Sequence, residues 1–317
     1  MITMSTEIKK YNAFVDASPF TKLIFSIFIL FVSLLLFLLL GVAMALPIFK
    51  ISLSELQQNL NQVTEGNVGL LKYFQVVQSF GIFIVPPVLL AILFTYPKSP
   101  YGFLYLDKKP LLPSIGLVIL ITLCALPFIN FTLEMNTIAI DKLFGPDNWM
   151  KQIENNADLL TKSFLHVNNF GGALINIFVI ALLPAFGEEF LFRGLLQRIF
   201  TDWTKNKHVA IIICAALFSA LHIQFYGFVP RFLLGLFFGY LLVWSGTLWL
   251  PIIAHFINNA TAVIFYYMYN ANMIGNSFDT IGTDNNGYAY AFASLIMISF
   301  LIYLFYRNEK LRSQPVA

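Results

Sequence analysis

The residues best suited to chemistry are three charged side chains near the middle of one long apolar segment, residues 172–200. An ionisable group inside a membrane segment costs free energy, so such groups usually have a function. This applies to Glu188, Glu189 and Arg193. At about 3.6 residues per turn, Glu189 and Arg193 share one helix face and can pair, whereas Glu188 points about 100° away. Glu188 is therefore free to face a cavity, where a carboxylate can serve as a general base.

Two histidines fall in neighbouring apolar segments. His222 follows Phe218 by four residues and His255 precedes Asn259 by four, so each pair lies on one face of its own helix. Together with Glu188, three helices would supply one carboxylate, two imidazoles and one carboxamide. Such a set can form a polar pocket in the core of a helix bundle.

Each of these residues also has a purely structural interpretation. Glu189 and Arg193 can form an ion pair that only stabilises the bundle, and a histidine or asparagine in a membrane helix can be an interhelical hydrogen-bond partner. The functional interpretation is favoured because the spans with ionisable groups all lie between residues 172 and 269, and every other predicted span is free of charge.

The composition defines the surroundings in which such a site would work. Of 317 residues, 58% are hydrophobic and only 11% are charged, whereas a soluble domain carries about 25% charged residues. This excludes a soluble or disordered chain, and a net charge of +3 is too weak for nucleic-acid binding. The chain is therefore predicted to be a multispanning membrane protein whose partner is the lipid bilayer. Cys124 and Cys214 lie in apolar runs without metal-ligand spacing.

Charge-free stretches of about 20 residues locate the membrane spans and predict an all-α, polytopic helix bundle. The first span could be mistaken for a signal peptide, but its apolar run is longer than the 7–15 residues of a secretory core, so we expect a retained anchor. The eight predicted spans are 23–49, 73–96, 111–133, 172–200, 209–226, 232–244, 248–269 and 288–306.

The basic residues orient these spans. With the N-terminus inside, the inner segments hold 12 of the 19 basic residues and five acidic ones, whereas the outer segments hold six basic and nine acidic residues. The excess of positive charge on one side predicts that both termini are inside. We expect a multi-pass protein of a cell membrane, such as the cytoplasmic membrane of a bacterium.

The spans and loops divide the chain into five segments, and we detect no internal repeat. The segments are a cytoplasmic N-terminus (1–22), three membrane helices (23–133), an outward loop (134–171), a helical core with the polar residues (172–270), and a last helix with a basic tail (271–317).

Three motifs in this core resemble those of a known family. The chain contains Glu188-Glu189-x-x-x-Arg193, Phe218-x-x-x-His222 and His255-x-x-x-Asn259, in this order and on separate predicted helices. This set resembles the CAAX protease and bacteriocin-processing (CPBP) family of intramembrane proteases, which includes the type II CAAX prenyl endopeptidases. The resemblance covers roughly residues 172–270.

The resemblance implies hydrolysis of a peptide bond in a membrane-associated protein or peptide. Glu188 would activate the water, with Glu189 and Arg193 organising the helix, while His222 would position the water or carry its proton. His255 and Asn259 would stabilise the oxyanion. The family's metalloprotease label also makes Glu188, His222 and His255 possible ligands of Zn²⁺ or another divalent metal, and a metal-free mechanism is equally compatible with the residues.

Other membrane proteases fit poorly, because the chain has no His-Glu-x-x-His motif, no aspartate in any predicted span and no Gly-x-Ser-x-Gly motif. The alternative is a non-proteolytic membrane protein, either a bacteriocin-immunity or scaffold protein or a proton-coupled transporter. The lack of two related halves disfavours the transporter. No sequence pattern defines the substrate or the oligomeric state.

The depth of the site raises a further expectation. At about 1.5 Å per residue, Glu188 lies about 18 Å from the inner end of its predicted span, but His255 lies only about 10 Å from Leu248. For the two to meet, either the link at residues 245–247 dips into the bilayer or the helices are strongly tilted.

Overall fold

The computed structural model describes residues 14–61, 64–167, 169–275 and 280–312, and these residues form helices and connections without a β-strand. The predicted all-α fold is confirmed. The helices are α1 (Pro19–Phe49), α2 (Leu53–Asn61), α3 (Val68–Thr95), α4 (Pro100–Phe103), α5 (Leu112–Cys124), α6 (Leu126–Phe144), α7 (Trp149–Leu165), α8 (Phe170–Thr204), α9 (Lys207–Ala220), α10 (Phe228–Ser245), α11 (Trp249–Asn270) and α12 (Asp284–Arg312).

The described helices confirm a multi-pass membrane protein with somewhat fewer full-length spans than the sequence predicts. Six helices are long and apolar enough to cross a membrane, and a seventh span results if α5 and α6, bent by 43°, are counted together. The predicted fifth span forms α9, which has only 14 residues, whereas a full crossing needs about 20. The inside location of both termini remains a prediction.

The predicted outward loop at 134–171 is largely helical. Helix α6 continues to Phe144, and α7 then occupies Trp149–Leu165. Its start is capped by Asn148, whose side chain accepts a hydrogen bond from the Lys151 amide. Asparagine satisfies the free amides of a first turn in this way, which explains why the chain re-enters a helix here.

Helix α8, which carries the first motif, contains two π-helical segments, Ile177–Leu182 and Phe190–Leu196. The first ends just before Pro184, which has no amide hydrogen to donate. Gly187 packs directly on α3, where an added Cβ would lie 2.6 Å from the Cβ of Phe83. Glu188 and Glu189 therefore stand between two irregular turns on a helix held tightly against its neighbour.

Helices α9 and α10 form the other wall of the core. Gly235 and Gly239 of α10 face α9, and a Cβ at Gly235 would meet Ala215 at 3.0 Å. This spacing of two glycines lets membrane helices approach closely. It also brings the backbone carbonyls of α10 within reach of α8.

The link between α10 and α11 is buried rather than exposed at the end of the bundle. Ser245, Thr247 and Leu248 are fully buried, and the Leu248 amide donates to the Tyr105 carbonyl while the Lys108 amine donates to the Ser245 carbonyl. The segment after α4 thus covers the link. The link is thus buried within the bundle, and its depth in the bilayer stays a prediction.

Candidate active site

Glu189 is the centre of a buried ionic network that joins the first and third motifs. Its Oε1 atom accepts hydrogen bonds from Arg193 Nη1 and His255 Nδ1, both at 2.8 Å. Arg193 Nη2 also donates to the Gly235 carbonyl at 3.1 Å. The pairing predicted from the four-residue spacing of Glu189 and Arg193 is confirmed, and the network connects α8, α10 and α11.

The network is sealed from solvent, because Glu189 is 0% and Arg193 1% exposed, and His255 is also buried. Two charged groups at this depth are tolerable only when paired, since an uncompensated buried charge is strongly destabilising. Glu189 Oε1 thus binds a guanidinium and an imidazole, while Oε2 is buried without a hydrogen-bond partner among the described residues. It has no surface to offer a substrate.

Glu188 occupies a different environment, although it is the next residue. Its side chain is 15% exposed to solvent, and its Oε2 atom lies 3.8 Å from His255 Nε2. That separation is too long for a hydrogen bond but leaves the two groups facing each other across a narrow gap. The roughly 100° between neighbouring helix positions separates a buried carboxylate from an accessible one, as the sequence predicts.

His222 lies just beyond the end of α9 and is exposed. Its Nδ1 is 2.7 Å from the Phe218 carbonyl oxygen. Because a carbonyl only accepts, Nδ1 must carry a hydrogen, and the neutral ring then has its free lone pair on Nε2. Among the described residues, no hydrogen bond or ion pair joins His222 to Glu188 or His255.

Phe218, the first residue of the second motif, forms a shared wall for the site. Its ring makes edge contacts with His222 at 5.1 Å and His255 at 6.0 Å between centroids, and the Arg193 guanidinium lies 4.7 Å above it. Phe238 stacks on the other side of His255 at 5.2 Å. These rings fix the imidazole and exclude water from the ion pair.

Asn259 is half-buried one turn after His255. Its Nδ2 donates to the Ile180 carbonyl at 3.2 Å, within the first π-helical segment of α8, and its Oδ1 accepts from Asn258. An amide nitrogen carries two hydrogens, so one remains for another acceptor. Asn259 joins α11 to α8, and its two side-chain hydrogen bonds involve neither Glu188, Glu189 nor the histidines.

The metal hypothesis can be tested against the positions of the donors. Among the described residues, no group of three or more His, Cys, Asp and Glu side chains is arranged to hold a metal ion. The set Glu188, His222 and His255 is therefore not assembled as a three-ligand site here. His255 Nε2, the ring nitrogen that does not bind Glu189, lies 3.8 Å from Glu188 Oε2.

Several residues that sequence reasoning overlooked support the site. Gln197, one turn after Arg193, donates to the Gly239 carbonyl at 3.2 Å, which repeats the Arg193 to Gly235 contact. The glycine pair in α10 was a signal that could have revealed this contact. Arg231, one of the six basic residues assigned to the outer segments, lies in the first turn of α10.

Comparisons with known proteins confirm the resemblance. Residues 170–261 match the model of the type II CAAX prenyl endopeptidase Rce1-like family, a segment that contains all three motifs. The Bacillus subtilis (strain 168) protein YpbD, described as uncharacterized, is 33% identical over 89 residues, which is 27% of this chain and 42% of YpbD. The chain thus matches less than half the length of that relative. No solved structure matches.

Proposed function

We propose that this multi-pass membrane protein is an intramembrane endopeptidase that hydrolyses a peptide bond in a membrane-associated protein or peptide. The observation that carries the proposal is the contrast between adjacent carboxylates. Glu189 is buried and bound to Arg193 and His255, whereas Glu188 is partly exposed and has no salt bridge to a lysine or arginine among the described residues. An acid left available beside a fixed imidazole suits general-base catalysis.

In the proposed reaction, Glu188 accepts a proton from a water molecule whose oxygen attacks the carbonyl carbon of the substrate. The carbonyl oxygen becomes a tetrahedral oxyanion. When the carbon–nitrogen bond breaks, protonated Glu188 returns the proton to the leaving amine, so that one water is consumed and a carboxylate and an amine are formed. The carboxylate is restored for the next cycle.

The imidazoles of His222 and His255 would lie on either side of the attacking water. His222 is oriented by the Phe218 carbonyl so that Nε2 is the free atom, which suits it to hold the attacking water. His255 is oriented by Glu189, so that its Nε2 faces the gap beside Glu188. A protonated His255 and the spare hydrogen of Asn259 would be donors for the oxyanion, a contribution worth about 3–4 kcal/mol per donor in related chemistry.

A cleavage assay tests the proposal directly. The full-length protein, purified in detergent, is incubated with a set of membrane-anchored peptides whose C-terminal tails are prenylated or unprenylated, and products are identified by mass spectrometry. We expect cleavage by the wild type and none detectable by Glu188→Gln. Glu55→Gln is the matched control, because Glu55 is an exposed glutamate in α2.

Activity that survives in folded Glu188→Gln would rule out the glutamate-activated water. Absence of cleavage by the wild type across the whole peptide set, in a folded protein, would favour the non-proteolytic alternative. In that case the Glu189 network would have an architectural role only.

A further inference from the structure

A cavity that borders Arg193 lies near the end of α8. It has a volume of about 270 Å³ and is enclosed by the last turns of α8, the start of α9 and the end of α10. The residues relevant to binding are Arg193, Gln197, Arg198, Thr201 and Lys207. None of these belongs to the second or third motif.

The lining of this cavity is positively charged. Arg198 and Lys207 stand at its sides, and Lys108 reaches Gly246 at its rim, where Nζ would lie 3.2 Å from an added Cβ. None of the described side chains that line it is acidic. Arg198 uses Nη1 on the Gly102 and Phe103 carbonyls, which leaves further N–H groups of its guanidinium for a ligand. The cavity is therefore suited to an anion.

The floor of the cavity contains polar groups without partners. Gln197 is 3% exposed and Arg193 1%, yet Gln197 Oε1 and Arg193 Nε have no hydrogen bond within the described protein. Buried polar atoms of this kind are nearly always satisfied by protein, water or ligand. Both atoms are themselves inaccessible, and Gln197 Oε1 lies against Gly239 of α10, so the polar side chains left to meet a ligand are those of Arg198, Thr201 and Lys207.

The position of the cavity indicates the source of such a ligand. Three of the four tryptophans, Trp203, Trp244 and Trp249, lie at the end of the bundle where α8 and α10 end and α11 begins. Tryptophans concentrate where a membrane meets water. A cationic cavity at this level is at the depth of phospholipid head groups, and clustered Lys and Arg side chains there favour anionic lipids.

We propose that this cavity binds the head group of an anionic phospholipid, such as phosphatidylglycerol. The phosphate lies between Arg198 and Lys207. This inference is independent of the proposed peptidase activity. Because Arg193 forms part of the floor and also binds Glu189, an occupied cavity would support the buried network.

The test uses the intact protein in a neutral detergent. Short-chain phosphatidylglycerol, phosphatidylcholine and inorganic phosphate are titrated separately, and binding is followed by thermal unfolding and by native mass spectrometry. We expect phosphatidylglycerol to bind about tenfold more tightly than phosphatidylcholine. Equal binding of the two lipids would overturn the proposal. If inorganic phosphate alone reproduces the binding, with the same dependence on Lys207, the lipid assignment is wrong.

Two pairs of variants locate the site. Lys207→Gln should weaken phosphatidylglycerol binding about fivefold, whereas Lys205→Gln, an exposed lysine outside the lining, should leave it unchanged. Val243→Phe fills the cavity without changing its charge and should also weaken binding, whereas Val209→Phe, at an exposed position outside it, should not. If both members of either pair behave alike, the lipid does not occupy this cavity.

Discussion

Glu188 and Glu189 are neighbours in the chain, but the structure gives them different surroundings. Glu189 is fully buried and accepts hydrogen bonds from two cationic or ionisable side chains, Arg193 and His255. Glu188 keeps part of its surface and faces His255 across 3.8 Å. The accessible half of the site, which also includes His222, has the features of reacting groups, and the buried half has those of a structural support.

The two environments are consistent with different roles for neighbouring acids of one membrane helix. A buried charge must be paired to be tolerated, and the pair holds three helices in register. That fixed geometry lets the neighbouring acid remain unpaired at a defined position. The following predictions test this division, beginning with the largest expected effect.

Replacement of Glu188 by glutamine should abolish most activity without affecting the fold. Loss of a general base lowers rates by about 10²–10⁴-fold, and glutamine has the same shape without the basic oxygen. The rate is measured by the cleavage assay and stability by thermal unfolding in detergent. A parallel fall in unfolding temperature would show that Glu188 belongs to the structural half instead.

Replacement of Glu189 by glutamine should mainly affect stability. It leaves Arg193 buried without its carboxylate, which typically costs about 3–5 kcal/mol. Unfolding by SDS titration measures the loss. The double variant Glu189→Gln, Arg193→Met should be more stable than the single variant because the unpaired charge is removed, and equal stability of the two would contradict the role of the ion pair.

Replacement of His222 by alanine should lower the rate about 100-fold with little change in stability. His222 is exposed, and its ring nitrogen donates to the carbonyl of Phe218 in the preceding helix, so the fold depends little on it. His208→Ala, at an exposed histidine in the first turn of α9, is the control for the cleavage rate. If both variants cleave at the wild-type rate, His222 is outside the reacting half.

Replacement of Asn259 by leucine should lower stability by about 1 kcal/mol, the typical strength of one interhelical hydrogen bond in a membrane protein. The bond lost is that to the Ile180 carbonyl. Asn258→Leu is the matched control, since it removes the bond between the two asparagines and keeps the bond from Asn259 to Ile180. If Asn259→Leu lowers the cleavage rate far more than its loss of stability explains, this amide belongs to the reacting half as well.

Glu154 of α7 provides the smallest test, as a partly buried acid without a close ion pair among the described residues. Burial raises its pKa above the ordinary value of 4.5, with Arg231 partly opposing this. Its contribution to stability is therefore fully present below pH 4.5 and is lost as the pH rises through the raised pKa. Glu154→Gln should slightly raise the unfolding temperature at pH 7 but not at pH 4, and an equal change at both pH values would contradict the shift.

Sequence reasoning predicted the helical class, the pairing of Glu189 with Arg193 and the separate direction of Glu188. These follow from helix periodicity and from the cost of charge in an apolar span. The span count was less accurate at α9, because its apolar run continues through His222 although the helix stops at Ala220. The link at Ser245 to Leu248 could only be placed once its hydrogen bonds to the segment after α4 were known.

The amino-acid sequence by itself determined that this chain lies in a membrane and that its ionisable groups are concentrated in residues 172–269, because hydropathy and helix spacing are local properties. Only the tertiary structure decided that His255 binds Glu189, that Asn259 binds the backbone at Ile180, and that Arg193 and Gln197 rest on the glycines of α10. These contacts join residues 42 to 79 positions apart. They depend on how closely whole helices pack, which no local pattern specifies.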